Sequence, residues 1–244
     1  MEFGELSGQA SGSGPWLVLL HGNGEDHHLF DPMVPVLSPG YRVVALDTRA
    51  HGQSPRGVGP LTIDHLVEDL AGALDALGAD RVALVGFSDG GNIALAFAAA
   101  YPGRIKSLIT YGANLFPAGL RAGVWVQLRL GLVALRVAGL VSRRARARAQ
   151  TWALMTVQPH IDPSALAVVT APALIVAGQR DAIRLSHTEL IGASLPNSTV
   201  TIVDGAGHML PKKDPDRFVR LILDFLNHEL GTDPDPHPEP VPEP

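Results

Sequence analysis

Residues 81–101 read RVALVGFSDGGNIALAFAAAY, and the fold turns on how this stretch is divided. Its first part, RVALVGFS, is a short continuous run of Val, Ala and Leu. Such a run fits a strand covered on both faces, since water touches neither side. Its last part, NIALAFAAAY, has helical character. Gly86-Phe87-Ser88-Asp89-Gly90 makes the change within five residues. A serine on so sharp a strand-to-helix turn is lifted above the sheet edge, and the flanking glycines let neighbouring backbone pass without a Cβ clash. The helix start also points unpaired N–H groups at whatever carbonyl lies against the serine. The pentapeptide alone is short enough to arise by chance; its strand–turn–helix setting gives it meaning.

The same alternation continues outward. WLVLLHG from Trp16, YRVVALD from Tyr41, KSLITYG from Lys106, ALIVAGQRD from Ala173 and TVTIVDGAGH from Thr199 each read as a buried strand. Helical spacing recurs over 63–77, 90–101, 185–194 and 215–229. Strands alternating with helices predict an α/β fold: a mostly parallel, twisted sheet of six to eight strands with helices on both faces. The expected core is 1–111 together with 171–230. The N-terminus looks too short for a full leading hairpin, which points to seven strands or fewer.

Two segments depart from the rhythm. Residues 112–170 have no strand of their own and read as a helical cap inserted between two strands. They hold seven arginines (121, 129, 136, 143, 144, 146 and 148) against the single acid Asp162, a net +6. With −5 for the chain, the remainder carries −11. The arginine stems are expected to lie on apolar surface, with their heads paired to that acidic body. The apolar stretch 123–139 is broken by Arg129 and Arg136, which argues for a water-soluble helix over a membrane span. The second segment, 231–244, is rich in proline and charge and is expected to be disordered.

Composition narrows the function classes. A net charge of −5 argues against nucleic acid as the main partner. The chain has no cysteine, so a disulfide framework, a thiolate nucleophile and cysteine-ligated metals are excluded. The first fifteen residues have neither a basic start nor an apolar run, so no leader is expected and the cytoplasm is the default location.

Three further motifs follow strands. His21-Gly22-Asn23-Gly24 comes after WLVLL and can converge backbone N–H groups on an oxyanion. Asp181 lies just past ALIVAG, and His208 just past TVTIV, in Gly205-Ala206-Gly207-His208. Ligand sites of open parallel sheets form at the carboxyl ends of strands, where all four motifs sit. Taken singly, Ser88 and Asp181 could be helix caps and His208 a structural histidine. Asp204 is a rival acid, but it stands close to His208 in sequence. Asp26, His27 and His28 suggest a metal only until a third ligand is sought, and a solvated loop accounts for them better.

Together these motifs resemble the α/β-hydrolase family. The order Ser88, Asp181, His208 is similar to that family's nucleophile, acid and histidine. Asp47-Thr48-Arg49-Ala50-His51-Gly52-Gln53-Ser54 resembles its Asp-x-Arg-Gly-His-Gly-x-Ser turn, with Ala50 in place of the glycine. The resemblance spans roughly 16–229 and implies Ser88 as nucleophile, His208 as general base and Asp181 as the acid that orients it. The backbone N–H groups of Asn23 and Asp89 would form the oxyanion hole, and His21 and His51 would serve the loops around them. No metal or organic cofactor is implied. The expected substrate is a small-molecule ester or lactone, with membrane not expected as a partner. Carbon–carbon bond hydrolysis, thioester hydrolysis, cofactor-free haloperoxidase or lyase chemistry, and a non-catalytic receptor on the same fold stay open. The Asp89 side chain reads first as favourable charge at a helix N-terminus; some members with a similar Ser-Asp-Gly-Gly elbow cleave amino-acid esters, and that resemblance implies an alternative, holding a cationic substrate group beside the nucleophile.

Overall fold

A computed structural model describes residues 1–230, so the tail expected to be disordered, 231–244, lies outside the described residues. The strands are β1 (Glu2–Phe3), β2 (Leu6–Ser11), β3 (Trp16–Leu20), β4 (Arg42–Asp47), β5 (Val82–Phe87), β6 (Ile105–Tyr111), β7 (Ala173–Arg180) and β8 (Ser198–Gly207). The α-helices are α1 (Val34–Leu37), α2 (Ile63–Leu77), α3 (Asp89–Ala100), α4 (Ala122–Ala138), α5 (Arg143–Val157), α6 (Leu185–Ser194), α7 (Leu210–Lys213) and α8 (Pro215–Leu230).

The strands form one eight-stranded sheet in the order β1-β2-β4-β3-β5-β6-β7-β8. From β4 to β8 every pairing is parallel, whereas β1 and β2 run antiparallel to their neighbours. The alternation of side chains along a strand divides the core in two. Val18 and Leu20 of β3 join α2 and α3 on one face. Leu17 and Leu19 join α8 and the segment around Phe30 and Met33 on the other. Both faces are therefore covered, as the continuous apolar runs require.

Two expectations are corrected. The leading hairpin exists: β1 pairs with β2 through Phe3 opposite Leu6, turned by Gly4 at φ 60°. A two-residue strand is too short to show alternation, so the sequence hid it. β8, read as buried on both faces, is an edge strand, and Val200 and Ile202 are partly exposed. An apolar run reports hydrophobicity, not the number of neighbours a strand has.

The chain runs from β3 to β4 on one side, then returns to place β5 on the other side of β3. This reversal opens a crevice above the carboxyl ends of β3 and β5, where open α/β sheets bind ligands. The segment between β6 and β7 carries α4 and α5, joined to the core by short 3₁₀ turns at Pro117–Gly119 and Pro163–Val168.

Candidate active site

β5 ends at Phe87 and α3 begins at Asp89, so Ser88 makes the turn alone, at φ 53° and ψ −118°. A non-glycine residue held there costs on the order of 1–3 kcal/mol and persists only where its surroundings fix it. They do so here. The Ser88 N–H donates to the Tyr111 carbonyl at 2.8 Å. A Cβ at Gly86 would collide with the Gly90 carbonyl, and one at Gly90 with the Leu20 carbonyl. The glycines thus let α3 start directly against β3 and β5.

His208 follows β8 and reaches back to this turn. Its Nε2 lies 3.0 Å from Ser88 Oγ, and its Nδ1 lies 2.7 Å from Asp181 Oδ1. In the neutral tautomer that suits both bonds, Nδ1–H donates to the carboxylate and Nε2 accepts the serine proton. Phe87 packs beside the imidazole with ring centroids 5.3 Å apart. Gly112, at φ 65°, leaves space that a Cβ would take from His208 Nδ1.

Asp181 is 2 % exposed. Its Oδ1 also accepts the Ile183 N–H and its Oδ2 the Gly178 N–H, both at 3.0 Å. Burial pushes this carboxyl up. The hydrogen bond and charge of His208 and the two backbone donors outweigh burial and hold it below the usual carboxylate range. It is therefore ionised at neutral pH. Asp204, the rival, is exposed on β8.

The loop after β3 is set by His21, which is 1 % exposed. Its Nε2 accepts the Thr48 N–H at 3.0 Å, so its Nδ1 carries the proton and donates to the Gly22 carbonyl at 2.7 Å. Burial, the largest influence, lowers its pKa to about 4 and keeps it neutral. The Gly22 carbonyl and the Asn23 N–H belong to one trans peptide and point in opposite directions. Pinning the carbonyl therefore aims the Asn23 N–H away from His21. The Asp89 N–H, at the first position of α3, has no intrahelical acceptor.

A network of amides lies beneath these groups, and sequence reasoning missed it. Asn23 Nδ2 uses both hydrogens, one to Asp89 Oδ2 at 2.8 Å and one to the Thr151 carbonyl of α5 at 2.6 Å. Asn92 Nδ2 donates to Asp89 Oδ1 at 3.2 Å, and Asn92 Oδ1 accepts the Asn114 N–H at 2.7 Å. Asn92 was legible as the one polar side chain after the elbow of an otherwise apolar helix. Asp89 is buried, which raises its pKa to about 6 against the opposing effects of Asn23, His208 and Asn92. A substrate cation would have to displace Asn23 to reach Oδ2. Glu25 also lies near this loop; its Oε2 is buried without a hydrogen-bond partner among the described residues, and burial pushes its carboxyl up.

Other candidates fall elsewhere. Ala50 keeps the glycine-type turn at φ 67°. His27 is not in a solvated loop: it is buried, with Nδ1 2.8 Å from Asp47 Oδ1, and only His28 is exposed. The seven arginines of the insertion are exposed, and among the described residues none meets a carboxylate. The expected pairing with the acidic body is absent there. Arg129 lies over the Trp125 ring, and Arg146 donates twice to the Gly139 carbonyl.

The model of the alpha/beta hydrolase fold family matches residues 15–158. The chain belongs to the α/β hydrolase family. It is 28 % identical to 2-hydroxy-6-oxononadienedioate/2-hydroxy-6-oxononatrienedioate hydrolase 1 of Dechloromonas aromatica, over 87 % of this chain and 86 % of that protein. It is 29 % identical to the magnesium-chelatase 30 kDa subunit of Rhodobacter capsulatus, over 87 % of each. Among solved structures, the enol-lactonase from Burkholderia xenovorans superposes with a TM-score of 0.74 at 23 % identity, covering 91 % of this α/β hydrolase and 96 % of that chain. No described helix of this family member is long and apolar enough to cross a membrane.

Proposed function

We propose that this α/β hydrolase cleaves a carboxylic ester or lactone of a small molecule through an acyl-enzyme on Ser88. The observation that carries the reading is the unbroken hydrogen-bond chain from Asp181 through His208 to Ser88 Oγ. In the first step Ser88 Oγ attacks the carbonyl carbon while His208 Nε2 takes its proton. Asp181 holds the tautomer and stabilises the imidazolium without itself taking the proton. The carbonyl oxygen becomes an oxyanion held by the Asn23 and Asp89 N–H groups, each worth roughly 3–4 kcal/mol where such donors have been removed. Collapse breaks the bond to the alkoxy oxygen, which leaves with the proton from His208. Water then attacks the acyl carbon, gives its proton to His208, and the carboxylic acid departs as Ser88 recovers its own. Asp89 serves in this scheme through its backbone N–H and by holding Asn23.

A second reading rests on the Dechloromonas relative, whose name states hydrolysis of 2-hydroxy-6-oxo dienedioates. The same triad would then act on a carbon–carbon bond beside a ketone. One experiment separates the two: steady-state turnover of short p-nitrophenyl esters, γ-lactones and a 2-hydroxy-6-oxo dienoate by wild type and Ser88→Ala. The proposal expects the esters or lactones to be the better substrates, with a loss on the order of 10⁴–10⁶ in the variant. Turnover of the dienoate alone would assign the second reading. Equal rates for the two proteins would remove Ser88 from the chemistry.

A further inference from the structure

The insertion is apolar on the side that faces solvent. α4 turns Leu132 inward, half-buries Val124, Leu128 and Leu135, and sets Gly131 against Trp152 of α5. Its opposite face carries Val126, Leu130, Val133 and Val137, spaced by four, three and four residues, so they line one stripe. Leu140 and Val141 extend it into the turn before α5. These six side chains are 46 % to 94 % exposed. Within α4 the stripe runs for about 16 Å at the helical rise. It contains no charged or hydrogen-bonding side chain.

Arginine borders it. Arg129 and Arg136 flank the stripe on one side, and Arg143 to Arg148 follow at the start of α5. Among the described residues no carboxylate neutralises any of the seven, so the insertion presents its net +6 to solvent. A groove of about 440 Å³ opens between α4 and α5, lined by Arg136, Leu140, Arg146, Ala149 and Ala153. Guanidinium groups beside aliphatic walls match an anionic head joined to an apolar chain. Trp125, under Arg129, adds an aromatic ring of the kind that settles at a membrane–water boundary.

We propose that the outward face of α4, with its border of arginines, docks this molecule on the surface of an anionic phospholipid bilayer. The aliphatic stripe enters the acyl boundary, and the arginines, with stems along the stripe, reach back to the phosphates. Charge decides against a second copy as the occupant, because face-to-face pairing would set Arg129, Arg136 and Arg143 of one copy against those of the other. Residues 1–111 and 171–230 carry a net −7, opposite in sign to the insertion, which orients the molecule. The binding makes no use of Ser88, so the Ser88→Ala protein should dock like the wild type. Failure here and failure of the proposed reaction are therefore distinguishable.

The test is co-sedimentation of the full chain with vesicles of phosphatidylcholine alone or with about one-third phosphatidylglycerol. Wild type is expected to pellet with the anionic vesicles, weakly with the neutral ones, and less as salt rises. Each arginine near an anionic surface strengthens partitioning about fivefold, so the triple variant Arg129→Gln/Arg136→Gln/Arg143→Gln should weaken it roughly 100-fold. Leu130→Asp/Val137→Asp should abolish it with the thermal midpoint unchanged. If the aspartates unfold the chain, Leu130→Ser/Val137→Ser reads the same contact. No pelleting with anionic vesicles at low salt would overturn the proposal, as would equal pelleting of wild type and variants. A dimer in sedimentation equilibrium that Leu130→Asp/Val137→Asp dissolves would give the face to a second copy and overturn it too.

Discussion

α3 and α4 are both apolar helices, and the fold treats them in opposite ways. Nine of the twelve residues of α3 are buried, against Leu132 alone among the seventeen of α4. α3 is wedged behind β5 and β6 in the covered face of the sheet, where its small residues let it approach the strands closely. α4 rests on α5 and has no further layer above it. Hydrophobic content is therefore a poor guide to burial; what counts is which layer of the architecture the segment enters. The buried helix also holds the serine turn and the amides around it. The exposed one carries the features we assign to a surface contact.

This contrast can be broken at several points. The largest effect is expected at glycine. Gly90→Ala drives a Cβ into the Leu20 carbonyl and should cost upwards of about 4 kcal/mol in urea unfolding, enough to prevent accumulation of folded chain. Gly123→Ala in α4 meets nothing within 4 Å and should instead stabilise by about 0.5 kcal/mol. Similar losses at both sites would refute the layer argument. Leucine gives the next test. Leu95→Ala, at a fully buried position of α3, should cost about 2–4 kcal/mol. Leu130→Ala, at 66 % exposure, should stay within about 0.5 kcal/mol.

A smaller effect depends on pH. Burial raises Asp89 from 3.8 to about 6, so the folded chain binds this proton more tightly than the unfolded chain does. Protonation is thus stabilising: the contribution is full below pH 3.8, declines as pH rises towards 6, and is gone above it. Asp89→Asn leaves one of the two amide donors, Asn23 or Asn92, without its acceptor at any pH, but its stability relative to wild type should rise by about 1–3 kcal/mol from pH 4 to pH 8. The reverse order at the two pH values would contradict the assignment. Neutral, buried His21 has the opposite sign, losing its contribution as pH falls from 6.5 through about 4. The smallest expected change is Ala50→Gly, which relieves a left-handed alanine and should raise stability by about 1 kcal/mol, read from thermal midpoints.

The sequence made legible whatever depends on periodicity and on order along the chain. The parallel strands, the Ser88 turn, and Asp181 and His208 at strand ends were all readable, because strand ends of one parallel sheet converge in space. The β1–β2 hairpin was too short to carry a pattern. The edge position of β8 depends on which strand lies beside it, which no local run encodes. The Asn23–Asp89–Asn92–Asn114 network joins three segments by hydrogen bonds whose partners are chosen by tertiary approach. His27 was misread because its partner, Asp47, lies twenty residues away on β4. The exposure of α4 was hidden because an apolar helix looks the same whether it faces a core or a surface.

The proposed chemistry rests on Ser88 as a nucleophile activated by His208. Mass spectrometry of the chain after reaction with a fluorophosphonate tests it most directly. One phosphonyl adduct is expected on the peptide containing Ser88, formed at a rate that falls at least a hundredfold, on the order expected for loss of a general base, in His208→Ala. An unlabelled Ser88 in folded protein, or labelling that proceeds equally without His208, would contradict it.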